Sequence, residues 1–256
     1  MKVKQQFSKQ KLLNNKKLIN GWIHIDSIVS AKIMAANRFD SITIDLQHGM
    51  LCFDKCRDII QIISNNSIFP IVRVPANNIG IINKVIDAGA YGIICPLVNN
   101  GNDCQKFLDA CYYPPVGKRS FGPTMASIGY DNYFKDANSR VLSIIMIETK
   151  ESVENLSDII KNKNLDMLYI GPYDLSISYG ISPDKVFDNK KMMKRYFEIL
   201  KKAKNASKKV AIHCSSSKIA SYFLKHGFDM VTVSTDLNIV NKGVQEELKK
   251  INKVKY

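Results

Sequence analysis

No window of the chain approaches the ~20 apolar residues that a membrane-spanning helix needs, and the opening MKVKQQFSKQKLLNNKK lacks the apolar stretch of a secretory signal. A membrane role is therefore set aside, and a cytoplasmic protein is expected. The six cysteines (Cys52, Cys56, Cys95, Cys104, Cys111, Cys214) include no C-x-x-C pair, which argues against a zinc knuckle or a disulfide framework. They read as reduced thiols, several of them core filler. No G-x-G-x-x-G follows the first strand candidate, so a dinucleotide-binding open sheet has no support. What is present is 256 residues with 45% hydrophobic content, enough to bury one full core.

Acidic residues are scarce relative to basic ones, leaving a net charge of +14. Such a balance invites a nucleic-acid partner, but its location points elsewhere. Residues 1–17 carry six Lys and no acid, and residues 189–209 carry nine Lys or Arg against Glu198. Together they account for the whole excess. In the second segment Met192, Met193, Tyr196, Phe197, Leu200 and Ala203 recur at helical spacing, which leaves the lysines on a solvated face rather than a binding stripe.

After a basic leader (1–17), the remainder (18–256) reads as strand then helix, repeated. Strand candidates are Gly21–Ile25, Ser41–Asp45, Phe69–Val74, Gly92–Pro96, Ser143–Ile147, Met167–Ile170, Lys209–His213 and Met230–Ser234. Helices are expected from about Ile28 to Ala36, Phe53 to Ser64, through Ile82 and Ile86, over 101–111, from Ser152 to Asn162, and over 190–207 and 236–251. The strands are apolar throughout rather than alternating, as in a parallel sheet covered on both faces. Eight of them close a barrel, so the expected fold is α/β, a single (β/α)8 TIM barrel. Between Tyr112 and Arg140 the rhythm breaks at Pro114-Pro115-Val116-Gly117-Lys118-Arg119-Ser120-Phe121-Gly122-Pro123. A loop this long in a compact domain is usually functional.

The run Ser143-Ile144-Ile145-Met146-Ile147-Glu148 ends on a carboxylate, and Leu168-Tyr169-Ile170-Gly171-Pro172-Tyr173-Asp174 delivers a second. Barrel chemistry gathers at the C-terminal strand ends, so Asp45, His48, Arg73, Glu148 and Asp174 should converge. Glu148 and Asp174 suit a hard divalent cation, with open positions for water and an oxygen-rich substrate; capping of the following helices is the plainer alternative. Arg73, inside an apolar strand, is a fixed charge for an enolate oxygen, or an ordinary ion-pair partner. Histidine is the side chain suited to moving protons near neutrality, which makes His48 a candidate acid/base, though an isolated histidine is more often structural. His24 and His213 also stand near strand ends, where a place lining the mouth is the weaker reading for each. His226, beside Gly227, reads as a helix C-terminus.

With these residues in view, IDLQHG, PIVRVP, DAGAYGIICPLV, YYPPVGKRSFGP, IMIET and LYIGPYDLSISYG occur in an order that resembles the HpcH/HpaI family of class II pyruvate aldolases, from Gly21-Trp22 to about Ser234. The resemblance implies a barrel of the phosphoenolpyruvate/pyruvate type and reversible cleavage of a 4-hydroxy-2-oxo acid to pyruvate and an aldehyde. By position it implies that His48 is the catalytic histidine with Asp87 as its acidic partner, that Arg73 stabilises the enolate, and that Asp45 opens the histidine motif. Glu148 and Asp174 fall on the metal ligands, and Trp22, Gln47, Arg73, Gly171 and Pro172 on substrate-binding positions. The implied cofactor is Mg²⁺ or Mn²⁺, with Co²⁺ or Zn²⁺ as further candidates. The implied partners are a small 2-oxo acid and an aldehyde, with neither nucleic acid nor membrane, in a homo-oligomer, a hexamer by family habit.

Two departures stand out: Gln47 where many members have Glu, and Met146 where several have Gln. Lys84, Lys118 and Lys150 fall in helices or loops, not on a strand interior where a Schiff-base amine is expected. Rival readings are an acyl-CoA lyase on the same barrel and a non-catalytic basic barrel, whose nucleic-acid binding would weaken with salt.

Overall fold

Side-chain alternation sorts each strand into one row facing inward and one facing outward. In the computed structural model, which describes residues 8–14 and 17–251, β1 (Leu18–Ile23), β2 (Ser41–Asp45), β3 (Phe69–Arg73), β4 (Gly92–Cys95), β5 (Leu142–Ile147), β6 (Met167–Ile170), β7 (Lys209–His213) and β8 (Met230–Thr235) pair in parallel in sequence order. β8 returns to β1, with a register shift between Asn20 and Trp22, and closes the barrel. The outward row (Ile23, Ile42, Ile44, Val72, Ile93, Ile145, Ile147, Ile170, Ile212) packs under the surrounding helices. The inward row (Leu18, Trp22, Phe69, Ile71, Ile94, Ile144, Met146, Tyr169, Met230) fills the barrel. A polar layer crosses it: Asn20 bonds Ser41, Thr43 and Thr232, so every buried amide atom of Asn20 finds a partner.

The helices are α1 (Lys9–Asn14), α2 (Ile28–Ala35), α3 (Phe53–Asn65), α4 (Ile79–Asp87), α5 (Gly101–Cys111), α6 (Tyr133–Arg140), α7 (Lys150–Glu154), α8 (Leu156–Ile159), α9 (Pro172–Ser178), α10 (Lys190–Asn205), α11 (Ser217–Lys225) and α12 (Asp236–Ile251). Residues 1–7, 15 and 16 of the leader, and 252–256, lie outside the described residues. Within the leader, α1 packs Leu12 into the interior cluster, and Lys9 pairs with Asp166 at 3.0 Å.

Several boundaries differ from expectation. β1 ends at Ile23 because the amides of His24 and Ile25 turn to the Asp236 carboxylate, at 2.8 and 3.3 Å, instead of continuing the ladder. The helix expected from Ser152 to Asn162 is two short ones, divided at Asn155, whose side chain reaches the Asn99 carbonyl at 2.9 Å. The Pro- and Gly-rich stretch leads from α5 into α6 and β5, so it lies at the rim opposite the C-terminal strand ends. Along α12, Leu237, Val240, Val244, Leu248 and Ile251 are exposed at helical spacing.

Candidate active site

The inward rows end, at the C-terminal rim, in a continuous set of polar side chains. β2 supplies Asp45, whose register partner across the ladder is Arg73 of β3. Asp45 is fully buried, and it gathers the site around itself. Arg73 donates to it through Nε (2.9 Å to Oδ1) and through Nη2 to Oδ2. His24, one residue beyond β1, places Nε2 2.7 Å from Oδ2, and Trp22 Nε1 donates to the same oxygen at 3.1 Å. The backbone amides of Gln47 and His48 complete the shell at 2.9 and 3.2 Å. Burial alone would raise the Asp45 pKa. The hydrogen bonds from His24 and Arg73 and the Arg73 charge outweigh it and hold the carboxyl far below the usual range. Arg73 also lies over the Trp22 ring, 4.9 Å from its centroid, with Nη1 3.8 Å from Met146 Sδ.

The second part of the site is carboxylate. Glu148 follows β5 and is buried; its Oε1 accepts the Leu97 amide at 2.7 Å, a contact for which Leu97 adopts a left-handed φ of 53°. Burial pushes its pKa up, and the nearby Asp174 charge pushes it further, against the pull of the Leu97 amide and Arg73. Asp174 stands in the first turn of α9, exposed. Gly171 makes room beside Glu148. A Cβ there would lie 3.0 Å from Glu148 Oε2. Pro172 is buried behind it.

His213, at the end of β7, is also inward. Its Nδ1 meets the Tyr169 hydroxyl at 3.0 Å, that hydroxyl meets Thr232 at 2.6 Å, and the ring packs edge-on to Trp22. Burial first, then the Arg73 charge, hold its pKa at about 3, so the imidazole is neutral. His48 is exposed on the loop after β2, and its ring has no hydrogen bond among the described residues. Gln47 Oε1 is buried without a partner among the described residues.

Asp87 is not in this set. It closes α4, and a helix that follows a barrel strand ends at the opposite rim. There its carboxylate bonds Arg119 at 2.5 Å, and Arg119 in turn contacts the Tyr133 hydroxyl and the Tyr113 ring. Lys84 lies over Phe53, while Lys118 and Lys150 pair with Asp109 and Glu154, all outside the barrel.

The rim thus gathers an arginine, three carboxylates and two imidazoles, His24 and His213, at or just beyond barrel strand ends. The model of the HpcH/HpaI aldolase/citrate lyase family matches residues 20–242. The chain belongs to this family. Among HpcH/HpaI relatives, a hydroxypyruvate/pyruvate aldolase of Rhizorhabdus wittichii is 33% identical over 227 residues, covering 88% of this chain and 90% of that protein. A 2-keto-3-deoxy-L-rhamnonate aldolase of Klebsiella pneumoniae is 26% identical over 245 residues, covering 94% and 91%. The crystal structure of an HpcH/HpaI family protein from Burkholderia cenocepacia superposes with a TM-score of 0.89 at 24% identity, covering 95% of this chain and 98% of that one, a likeness of fold.

Sequence reasoning missed one feature of this HpcH/HpaI site, the pairing of His24 with Asp45. The signal was available in the parallel register. Ile23 lies opposite Ile44, so the next residue on each strand, His24 and Asp45, are neighbours at the rim.

Proposed function

We propose that the protein is a divalent-metal-dependent aldolase that reversibly cleaves a 4-hydroxy-2-oxo acid to pyruvate and an aldehyde. The observation that carries this is the meeting, on one rim, of two mutually repelling carboxylates with an arginine fixed by a buried carboxylate. Glu148 and Asp174 would hold the cation. They fit one: ionised side by side they destabilise each other, Glu148 is raised by burial, and the missing Cβ of Gly171 leaves space at Oε2. Two carboxylate donors are the hard oxygen ligands that Mg²⁺ or Mn²⁺ takes, with the remaining positions left to water and substrate. When bound, the cation polarises the 2-oxo acid's oxygens as a Lewis acid.

The chain's own groups do the rest. Arg73, locked by Asp45, presents Nη1 to the oxygen that becomes negative when the C3–C4 bond breaks. His48 takes the C4 hydroxyl proton, so the carbonyl of the aldehyde forms as the bond electrons pass to C3. Trp22 and Pro172 bound the pocket, with Gln47 and Gly171 facing the substrate. Asp87 and its own chain's His48 are on opposite rims, so a dyad between them needs a neighbouring copy. The uncovered apolar row of α12 and the exposed Phe121 and Phe134 around the Asp87–Arg119 pair support a homo-oligomer. Glu148→Ala should abolish metal-dependent pyruvate release from a 4-hydroxy-2-oxo acid, followed by coupled reduction of the pyruvate, while the barrel stays folded. A metal-stripped protein that turns over at the full rate would refute the reading.

A further inference from the structure

His24 carries a carboxylate partner that nothing in the reading above uses. Its Nε2 is 2.7 Å from Asp45 Oδ2. An ionised carboxylate accepts only, so the ring proton sits on Nε2 and donates. Nδ1 is then a lone pair. It has no partner among the described residues and is not among the buried unpaired atoms, and the side chain is 22% exposed. The result is an imidazole oriented by a buried aspartate with its basic nitrogen open to the mouth, the arrangement that makes histidine a general base. The main chain holds it as well: the His24 amide bonds Asp236, and its carbonyl accepts from Met50. His48, by contrast, is fixed among the described residues through its own amide, with no hydrogen bond to its ring.

Position decides what His24 can serve. It and Arg73 share one carboxylate, and Trp22 touches both, with Nε1 3.0 Å from His24 Nε2 and the indole under the guanidinium. The imidazole is thus next to the group that holds the enolate oxygen, and C3 of the enolate is two bonds from that oxygen. We infer that His24, oriented by Asp45, is the acid/base that moves the C3 proton of pyruvate, while His48 serves the C4 hydroxyl. This rests on the aldolase reading. After cleavage, Nδ1, protonated from solvent water at the mouth, gives that proton to C3: the C2=C3 pair forms the new C–H bond, the enolate oxygen becomes the keto oxygen, and His24 returns to the neutral ring. In the reverse direction the Nδ1 lone pair takes a C3 proton, and the imidazolium that forms is held by Asp45.

The test is exchange of the pyruvate methyl protons with D₂O by NMR, on full-length protein with Mn²⁺ or Mg²⁺ added, beside pyruvate release from a 4-hydroxy-2-oxo acid and calorimetric pyruvate binding. In His24→Ala, exchange should fall about 100-fold or more, with pyruvate binding retained and exchange restored by added imidazole. The ratio of exchange to cleavage should fall in His24→Ala and rise in His48→Ala. Exchange at the wild-type rate in His24→Ala overturns the inference. So does a loss of exchange that imidazole does not restore, or that is accompanied by lost pyruvate binding, because either places His24 in the scaffold. Wild-type protein that neither exchanges nor cleaves refutes the aldolase reading itself. Wild-type activity with an unaffected His24→Ala refutes only the role of His24.

Discussion

Gly171→Ala tests whether the carboxylate pair is built for a cation. The added methyl would lie 2.9 Å from Met146 Cε, 3.0 Å from Glu148 Oε2 and 3.1 Å from Glu148 Cβ. Met146 Cε ends a flexible side chain and can rotate away. The Glu148 Cβ cannot, because it belongs to the chain leaving β5, where the Gly171 amide bonds Ile147 O at 3.2 Å and Glu148 Oε1 is held by Leu97. Carbon atoms rest ~3.5–4.0 Å apart, so about half an ångström must come from moving the carboxylate or parting β5 from β6. Overpacking of this kind costs about 1–3 kcal/mol, and each kcal/mol lowers the Tm of a chain this long by about 2–4 °C. Displacing a supported ligand costs about 10-fold or more in metal affinity. Calorimetric melting of metal-free protein reads the first effect, and Mn²⁺ titration followed by electron paramagnetic resonance reads the second. A variant that melts lower yet binds Mn²⁺ as tightly as wild type would break the link between Gly171 and the Glu148 carboxylate.

Three further outcomes are expected. Asp45→Asn leaves the Arg73 guanidinium buried without an anion and should cost about 3–5 kcal/mol in urea unfolding. Because the folded pKa of Asp45 lies below its unfolded value, its contribution is in place above the ordinary carboxylate range and is lost only as pH falls through the folded value; the penalty should be constant from about pH 5 to about 8. Glu148 has the opposite sign: its folded pKa is raised, so metal-free protein loses stability as pH rises through the carboxylate range, and Glu148→Gln should melt higher at neutral pH without metal and no longer gain from Mn²⁺ in the same melting experiment. Tyr169→Phe removes the hydroxyl between Thr232 and His213 and should cost about 1–3 kcal/mol in denaturant titration, because His213 Nδ1 loses its partner and Thr232 keeps only its bond from Asn20.

Much of the fold was legible because buried parallel strands read as short apolar runs. All eight strand candidates, from Gly21–Ile25 to Met230–Ser234, correspond to barrel strands, and α5 and α12 begin and end where their patterns do. Elements without that signal were lost. α6 (Tyr133–Arg140) is polar along most of its length, and its N-cap Asn132 follows a loop rather than a strand. Of the site, Arg73 was legible as a charge in an apolar strand and Glu148 as a carboxylate ending one. The pairing of His24 with Asp45 was not, because a residue is judged by its own neighbours while the contact spans 21 positions of chain. The separation of Asp87 from His48 was hidden for a related reason: motif order does not say which rim a helix end occupies.

Asp45 accepts from five residues, the side chains of Trp22 on β1, His24 just beyond it and Arg73 on β3, and the amides of Gln47 and His48 in the loop after β2. Substitutions at Trp22, His24 and Arg73 therefore act on one shared acceptor, and their effects will not add. For anyone evolving this enzyme toward new aldehydes, single-site libraries at these positions will undervalue changes that succeed only in company. Epistasis here is a property of one oxygen pair. The three positions form a single unit of variation and are best randomised together, with Asp45 held constant.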